Sequence, residues 1–166
     1  MIVALPLPYQ FSQGLPSRLR EHGRGDIHVV ECLEPLPTDD QSESTKIFLI
    51  AGHEDGVSQA KPLLECVADT VLVVPGGLGS ARKAQMVNQL LYCTQLVTAA
   101  EAIALADRIG LNSREVLDIV SQAAGSSWAL KNRGPRMTSR SDSDSMTISS
   151  LLETLVSIVM TYFARD

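Results

Sequence analysis

The first half of the chain alternates short apolar runs with polar stretches at helical spacing. Ile2–Leu5, Ile27–Val30, Ile47–Ala51 and Thr70–Val74 read as buried strands. Phe11–His22 and Gly56–Val67 read as helices, the second introduced by Glu54 and Asp55 as candidate caps. Strands alternating with helices predict a parallel sheet covered by helices, an α/β layer. From Ser80 onward the pattern is helical throughout. Ser80 is placed to cap a long helix that Gly110 stops after Ile109. Asn112 with Glu115 opens another, reaching about Ala124 before Gly125. Ser126–Arg133 reads as a short helix ahead of Gly134-Pro135, Arg136–Ser145 as a polar loop, and Ile148–Phe163 as a last helix, apolar on more than one side.

Composition narrows the setting. The 166 residues fit one domain, or a small domain with a helical extension, and carry a net charge of −5. An acidic protein does not draw nucleic acid or an anionic membrane over long range, so neither is expected as a partner. No apolar run approaches the roughly 20 residues a membrane span needs, and MIVALPLP is too short and lacks the basic flank of a signal peptide. Cys32, Cys66 and Cys93 have no metal-ligand spacing, and neither do His22, His28 and His53. No metal is expected, and reduced cysteines fit the cytoplasm.

The chemistry concentrates after the fourth strand, in PGGLGSARKAQMVNQLL. A dinucleotide turn needs glycines that bring a diphosphate to backbone N–H groups at a helix N-terminus. Gly77-x-Gly79 supplies two of them, but Arg82 stands at the third position of GxGxxG, and GxxxxGK[ST] is absent. The turn therefore reads as a strand-to-helix joint. On the helix itself, Gln85, Asn88, Gln89 and Tyr92 follow i, i+3, i+4, i+7 spacing and line one face.

IFLIAGHEDGVSQAKPLLECVADTVLVVPGGLGS, MVNQLL, AAEAIALADRIGL and SSWALKNRGPRM together resemble the β-hydroxyacid dehydrogenase family, which includes 3-hydroxyisobutyrate and threonate dehydrogenases. The likeness runs from about Ile27 to Ile158, the second half to two thirds of a usual member. It implies a small, partial Rossmann-like parallel sheet over 1–79 that lacks the dinucleotide loop. After it comes an all-helical part over 80–166, built on a long interdomain helix and serving dimerisation and a substrate cleft.

Several of the family's working residues are replaced. Anchored on MVNQLL, Gln85 stands at the family's catalytic lysine, with Asn88-Gln89 as the following polar pair. Lys83 is no substitute, since two residues turn a helix by roughly 200°. A glutamine amide cannot exchange a proton near neutral pH. The segment that receives a substrate carboxylate reads Cys32-Leu-Glu34-Pro35-Leu-Pro37; the prolines have no N–H to donate and Glu34 repels a carboxylate. The family's Lys-Asp-Leu near the end becomes Glu153-Thr154-Leu155.

The expectation drawn from these replacements is a cofactor-independent enzyme of cyclase, cycloaddition or isomerase type, holding a neutral, fairly apolar small molecule. Gln85 and Asn88 are its candidate catalytic amides; Gln89, Tyr92, Ser126, Ser127, Trp128 and Asn132 its candidate ligand contacts. A non-catalytic helical dimerisation module, or a dehydrogenase remnant, is the alternative, and residual NAD(P)-dependent oxidoreduction a further one. Dimerisation through the helical part is expected in each case.

Overall fold

The structure, a computed structural model, describes residues 2–5, 9–34 and 45–139, with side chains described from residue 14 onward. Two compact units divide at residues 88 and 89. The first holds β1 (Ile2–Leu5), α1 (Tyr9–Glu21), β2 (His28–Leu33), β3 (Ile47–Gly52), α2 (Glu54–Leu64), β4 (Thr70–Val73) and the start of α3 (Ser80–Arg108). The second holds the rest of α3, α4 (Ser113–Val120) and α5 (Trp128–Thr138). The expected α/β class is observed.

The four strands lie in the order β1-β2-β3-β4. Within the sheet, β1 runs parallel to β2 and β3 parallel to β4, each pair joined through a helix. The central pair, β2 and β3, is antiparallel, with Glu31 opposite Ala51 and Cys32 opposite Ile50. The expected all-parallel sheet is thus corrected. A parallel neighbour needs a crossover of a dozen or more residues, usually a helix, whereas an antiparallel one needs none. The sequence offers no helical pattern between Val30 and Ile47.

Strands covered on both faces read as unbroken apolar runs, and IFLIAG is one. Period-two alternation sends Val30, Ile50 and Val71 to one face, where they pack with Ala60 of α2. Leu33, Leu49 and Ala51 go to the other face, against Ala81 at the start of α3. Gly56 lets α2 lie close on β2, because a Cβ there would come within 3.0 Å of the His28 Cβ.

In the second unit Asn112 caps α4 as expected, its side chain accepting from the N–H groups of Arg114 and Glu115. Gly110, at φ +81°, ends α3 one residue earlier than expected. The helix that begins at Trp128 does not stop before Gly134-Pro135, as the breaker pair suggests, but continues to Thr138 and takes in Arg136 of the expected polar loop. Tertiary packing overrides the local signal: Gly134 is buried against Leu117, which packs with Ala99 and Leu130 in this unit's core. Helix α3, 29 residues long, is apolar and long enough by length and composition alone to cross a bilayer, contrary to the reading of the apolar runs. Ile148–Phe163 and Glu153-Thr154-Leu155 lie outside the described residues, as do Pro35 and Pro37.

Candidate functional site

The glycine turn is wound by three left-handed residues, Gly76 at φ +108°, Gly77 at +78° and Gly79 at +92°. A Cβ on Gly76 would lie 2.6 Å from Ser80 Oγ, so the turn and the first residue of α3 are in close contact. The N–H of Gly79 donates to Glu31 Oε2 at 3.0 Å, and Glu31 is only 2% exposed. A carboxylate from β2 thus sits where a phosphate-binding turn would hold its anion. Sequence reasoning missed Glu31. The signal was an acid inside the apolar strand HVVECL, where the pattern calls for an aliphatic residue.

The other described β–α turn of this unit is no better suited to a diphosphate. His53 precedes α2 without a side-chain cap, and Glu54 and Asp55 fill the first turn, where their charge opposes a second anion. Neither turn fits the diphosphate of a dinucleotide.

Gln85 is half-buried, and its Nε2 donates to the Glu34 carbonyl at 2.7 Å. The amide ties the start of α3 to the end of β2. Asn88 is exposed, as is Lys83.

In the second unit the structure brings Tyr92 and Trp128 together, ring centroids 5.8 Å apart at 56°. Tyr92 is buried, while Trp128 stays 49% exposed. Arg133, also buried and unremarked in the sequence, donates from Nε to the Tyr92 hydroxyl at 3.3 Å. It lies one residue past Asn132 in SSWALKNRGPRM, and a basic residue facing into a helical core was the available clue. Ser127 caps α5, its Oγ accepting from Leu130 N–H at 3.0 Å. Ser126, Asn132 and Gln89 are half-buried.

A cleft of about 200 Å³ opens in the same unit, between Thr94, Gln95 and Thr98 of α3 and Val116 and Val120 of α4. Ser127 lines it; Tyr92, Trp128 and Asn132 do not. Its walls are mostly aliphatic, which suits an apolar group better than a charged one. Burial pushes the thiols of Cys93 and Cys32 above the usual range, with the Glu34 charge adding to the effect at Cys32, so neither is an activated nucleophile. No cluster able to hold a metal ion occurs among the described residues.

Residues 79–155 match the sequence profile described as the NAD-binding domain of NADP-dependent 3-hydroxyisobutyrate dehydrogenase. A probable 3-hydroxyisobutyrate dehydrogenase of Mycobacterium bovis is 30% identical over 105 residues, 61% of this chain and 35% of the relative. An L-threonate dehydrogenase of Cupriavidus necator is 26% identical over 137 residues, 82% of this chain and 45% of the relative. The chain therefore spans between a third and a half of these curated relatives. Among solved structures, a 3-hydroxyisobutyrate dehydrogenase from Salmonella typhimurium superposes with a TM-score of 0.77 at 22% identity, covering 98% of this chain and 56% of that one. The Mycobacterium tuberculosis enzyme with L-serine gives 0.73 at 20% identity, covering 99% of this chain and 59% of that one.

The resemblance read from MVNQLL, AAEAIALADRIGL and SSWALKNRGPRM holds: residues 79–155 match a domain profile of that family, and the chain shares the fold of its solved structures. Two expectations are overturned with it. The lean towards a cofactor-independent cyclase or isomerase is overturned, since the matched relatives are dehydrogenases. The expectation of no cofactor is overturned as well, since the profile matched by residues 79–155 is described as NAD-binding. Both errors gave replaced residues more weight than the retained scaffold.

Proposed function

We propose, from the match of residues 79–155 to the NAD-binding domain profile of NADP-dependent 3-hydroxyisobutyrate dehydrogenase, that the protein is a pared-down, NAD(P)-linked relative of the hydroxy-acid dehydrogenases, a dehydrogenase remnant with impaired turnover, working in the cytoplasm. Its functional halves divide at residues 79 and 80. NAD(P) supplies hydride acceptance when bound. Neither described β–α turn suits its diphosphate, and in the helical half the half-exposed Trp128 is a candidate contact.

Gln85 carries the proposal. Oxidising a hydroxy acid requires a base for the hydroxyl proton as hydride leaves the carbinol carbon. The family resemblance places a lysine there. Here an amide that takes no proton near neutral pH is already bonded to the Glu34 carbonyl at 2.7 Å. The arrangement supports binding more than turnover. The test is calorimetric titration with NADPH and with NADH. Micromolar binding of either is the expected result, and no heat from either at millimolar concentration removes the NAD(P)-linked reading.

One observation favours the second reading, a helical dimerisation module. Leu90, Leu91, Val97 and Leu105 on α3 are each at least 45% exposed, more apolar surface than a lone helix face presents without cost. A second copy of this chain is the proposed cover. Sedimentation at micromolar concentration is expected to give a dimer mass, and Leu91→Glu with Leu105→Glu a monomer; a wild-type monomer removes the proposal.

A further inference from the structure

The N-terminus of α3 is built as an anion seat, and its occupant comes from within the chain. Three left-handed glycines, at φ +108°, +78° and +92°, wind the chain immediately ahead of the helix. The helix then runs for 29 residues, so its first amides carry the full positive pole of a long dipole. In this position a backbone N–H without an acceptor is costly, and an anion is favoured.

Glu31 meets that need from the neighbouring sheet. Alternation along β2 puts Glu31 on the same face as Leu33, which packs with Leu49, Ala51 and the Ala81 of α3. An aliphatic residue at position 31 would extend this core at no electrostatic cost. The carboxylate instead sits at 2% exposure, where a charge is tolerated only with strong compensation. The compensation visible is one charge-assisted bond, 3.0 Å from Gly79 N–H to Oε2. The other oxygen, Oε1, is buried with no hydrogen-bond partner. An acid buried this deeply, with half its acceptor capacity unused, is placed for the turn and not for an ion pair.

We propose that the Glu31 carboxylate is an internal counter-anion seated at the N-terminus of α3, that it positions the glycine turn and hence the helix carrying Gln85, and that its seat accepts a small free oxyanion once the carboxylate is removed. The seat is specific for a carboxylate-sized anion presented to Gly79 N–H. The same geometry explains why the turn looks like a phosphate loop in sequence: the donors and glycines are there, and the acceptor is supplied by β2. This inference stands apart from the proposed dehydrogenase ancestry, and its test uses no cofactor.

The experiment compares wild type, Glu31→Ala and Glu31→Gln by thermal melting in chloride, formate, acetate and phosphate at matched ionic strength. Glu31→Ala is expected to melt about 5–10 °C lower in chloride. Formate or acetate at tens of millimolar, an order-of-magnitude choice for a weak single-anion site, recovers at least half of that loss. Wild type gains nothing from these anions beyond the chloride baseline. Glu31→Gln, which fills the seat with a neutral acceptor for Gly79 N–H, loses less and shows no anion recovery. Selective recovery in Glu31→Ala is the signature that a merely structural, space-filling role would not give. The proposal is overturned if Glu31→Ala melts with wild type, if chloride rescues as well as formate, or if wild type responds equally. Should Glu31→Ala fail to fold in chloride, refolding yield is read instead: a formate-dependent yield supports the seat, and an indifferent yield overturns it.

Discussion

A Gln85→Lys variant is expected to oxidise 3-hydroxyisobutyrate or L-threonate with NAD(P)+ at least about 100-fold faster than wild type, the low end of what a positioned general base contributes. The substitution returns an exchangeable proton to the position that the family resemblance assigns to a lysine. Local structure tolerates it, because the present contact is a donation from Gln85 Nε2 to the Glu34 carbonyl and an ammonium group donates to the same oxygen. The gain should grow with pH as the lysine loses its proton, since only the neutral amine accepts one; wild type has no such limb from this position. Lys83→Ala is the control: Lys83 is exposed and lies roughly 200° around the helix from Gln85, so its loss should leave both proteins unchanged. If Gln85→Lys folds, binds NAD(P)H and still shows no gain on either acid, Gln85 is not the position where the scaffold expects its base.

What the sequence disclosed about this fold depended on how local each signal was. Helix α3 was legible at both ends, beginning at Ser80 and ending just before Gly110, because such signals act within a turn of where they stand. The Asn112 cap was legible for the same reason. The antiparallel pairing of β2 with β3 was not, because strand direction is set by the connection and by pairing over some twenty residues, and apolar runs carry no arrow. The missing helical pattern between them was the one clue. The continuation of α5 through Gly134-Pro135 depends on Leu117, seventeen residues away in sequence, and no local rule reaches that far.

Of the candidate site, the sequence disclosed which residues share a helix face but not the buried polar groups they meet. Tyr92 and Trp128 do meet, while the amide of Gln85 serves a backbone carbonyl. Glu31 escaped notice as a charged residue inside an apolar strand, and Arg133 because its neighbours Lys131, Asn132 and Arg136 make the segment read as a solvated surface. Buried charges are costly enough that each needs a physical reason. At Glu31 the reason is the pole of α3; at Arg133 it includes the hydroxyl of Tyr92.

Gly134→Val should destabilise the helical unit by about 3 kcal/mol, the upper end of the range for overpacked sites. A Cβ built on Gly134 lies 2.5 Å from Leu117 Cδ1 and 3.2 Å from Cδ2, closer than atoms approach without displacement. Leu117 has little room to yield, being 5% exposed and packed with Ala99 and Leu130. Gly134→Ala is the milder case, because the roughly 1 kcal/mol that alanine gains over glycine inside a helix offsets part of the clash. Valine adds two further methyl groups and a poorer helix propensity, so the offset does not rescue it. Urea unfolding followed by circular dichroism reads both. The decisive comparison is with Leu117→Ala, which removes the colliding methyl groups. On its own it should cost about 2–5 kcal/mol as a core truncation, yet combined with Gly134→Val the two losses should fall short of additive by more than about 1 kcal/mol, as expected for side chains in direct contact. Strict additivity would mean that α4 and α5 do not meet at these residues, and the packing that carries α5 past Pro135 would need another source.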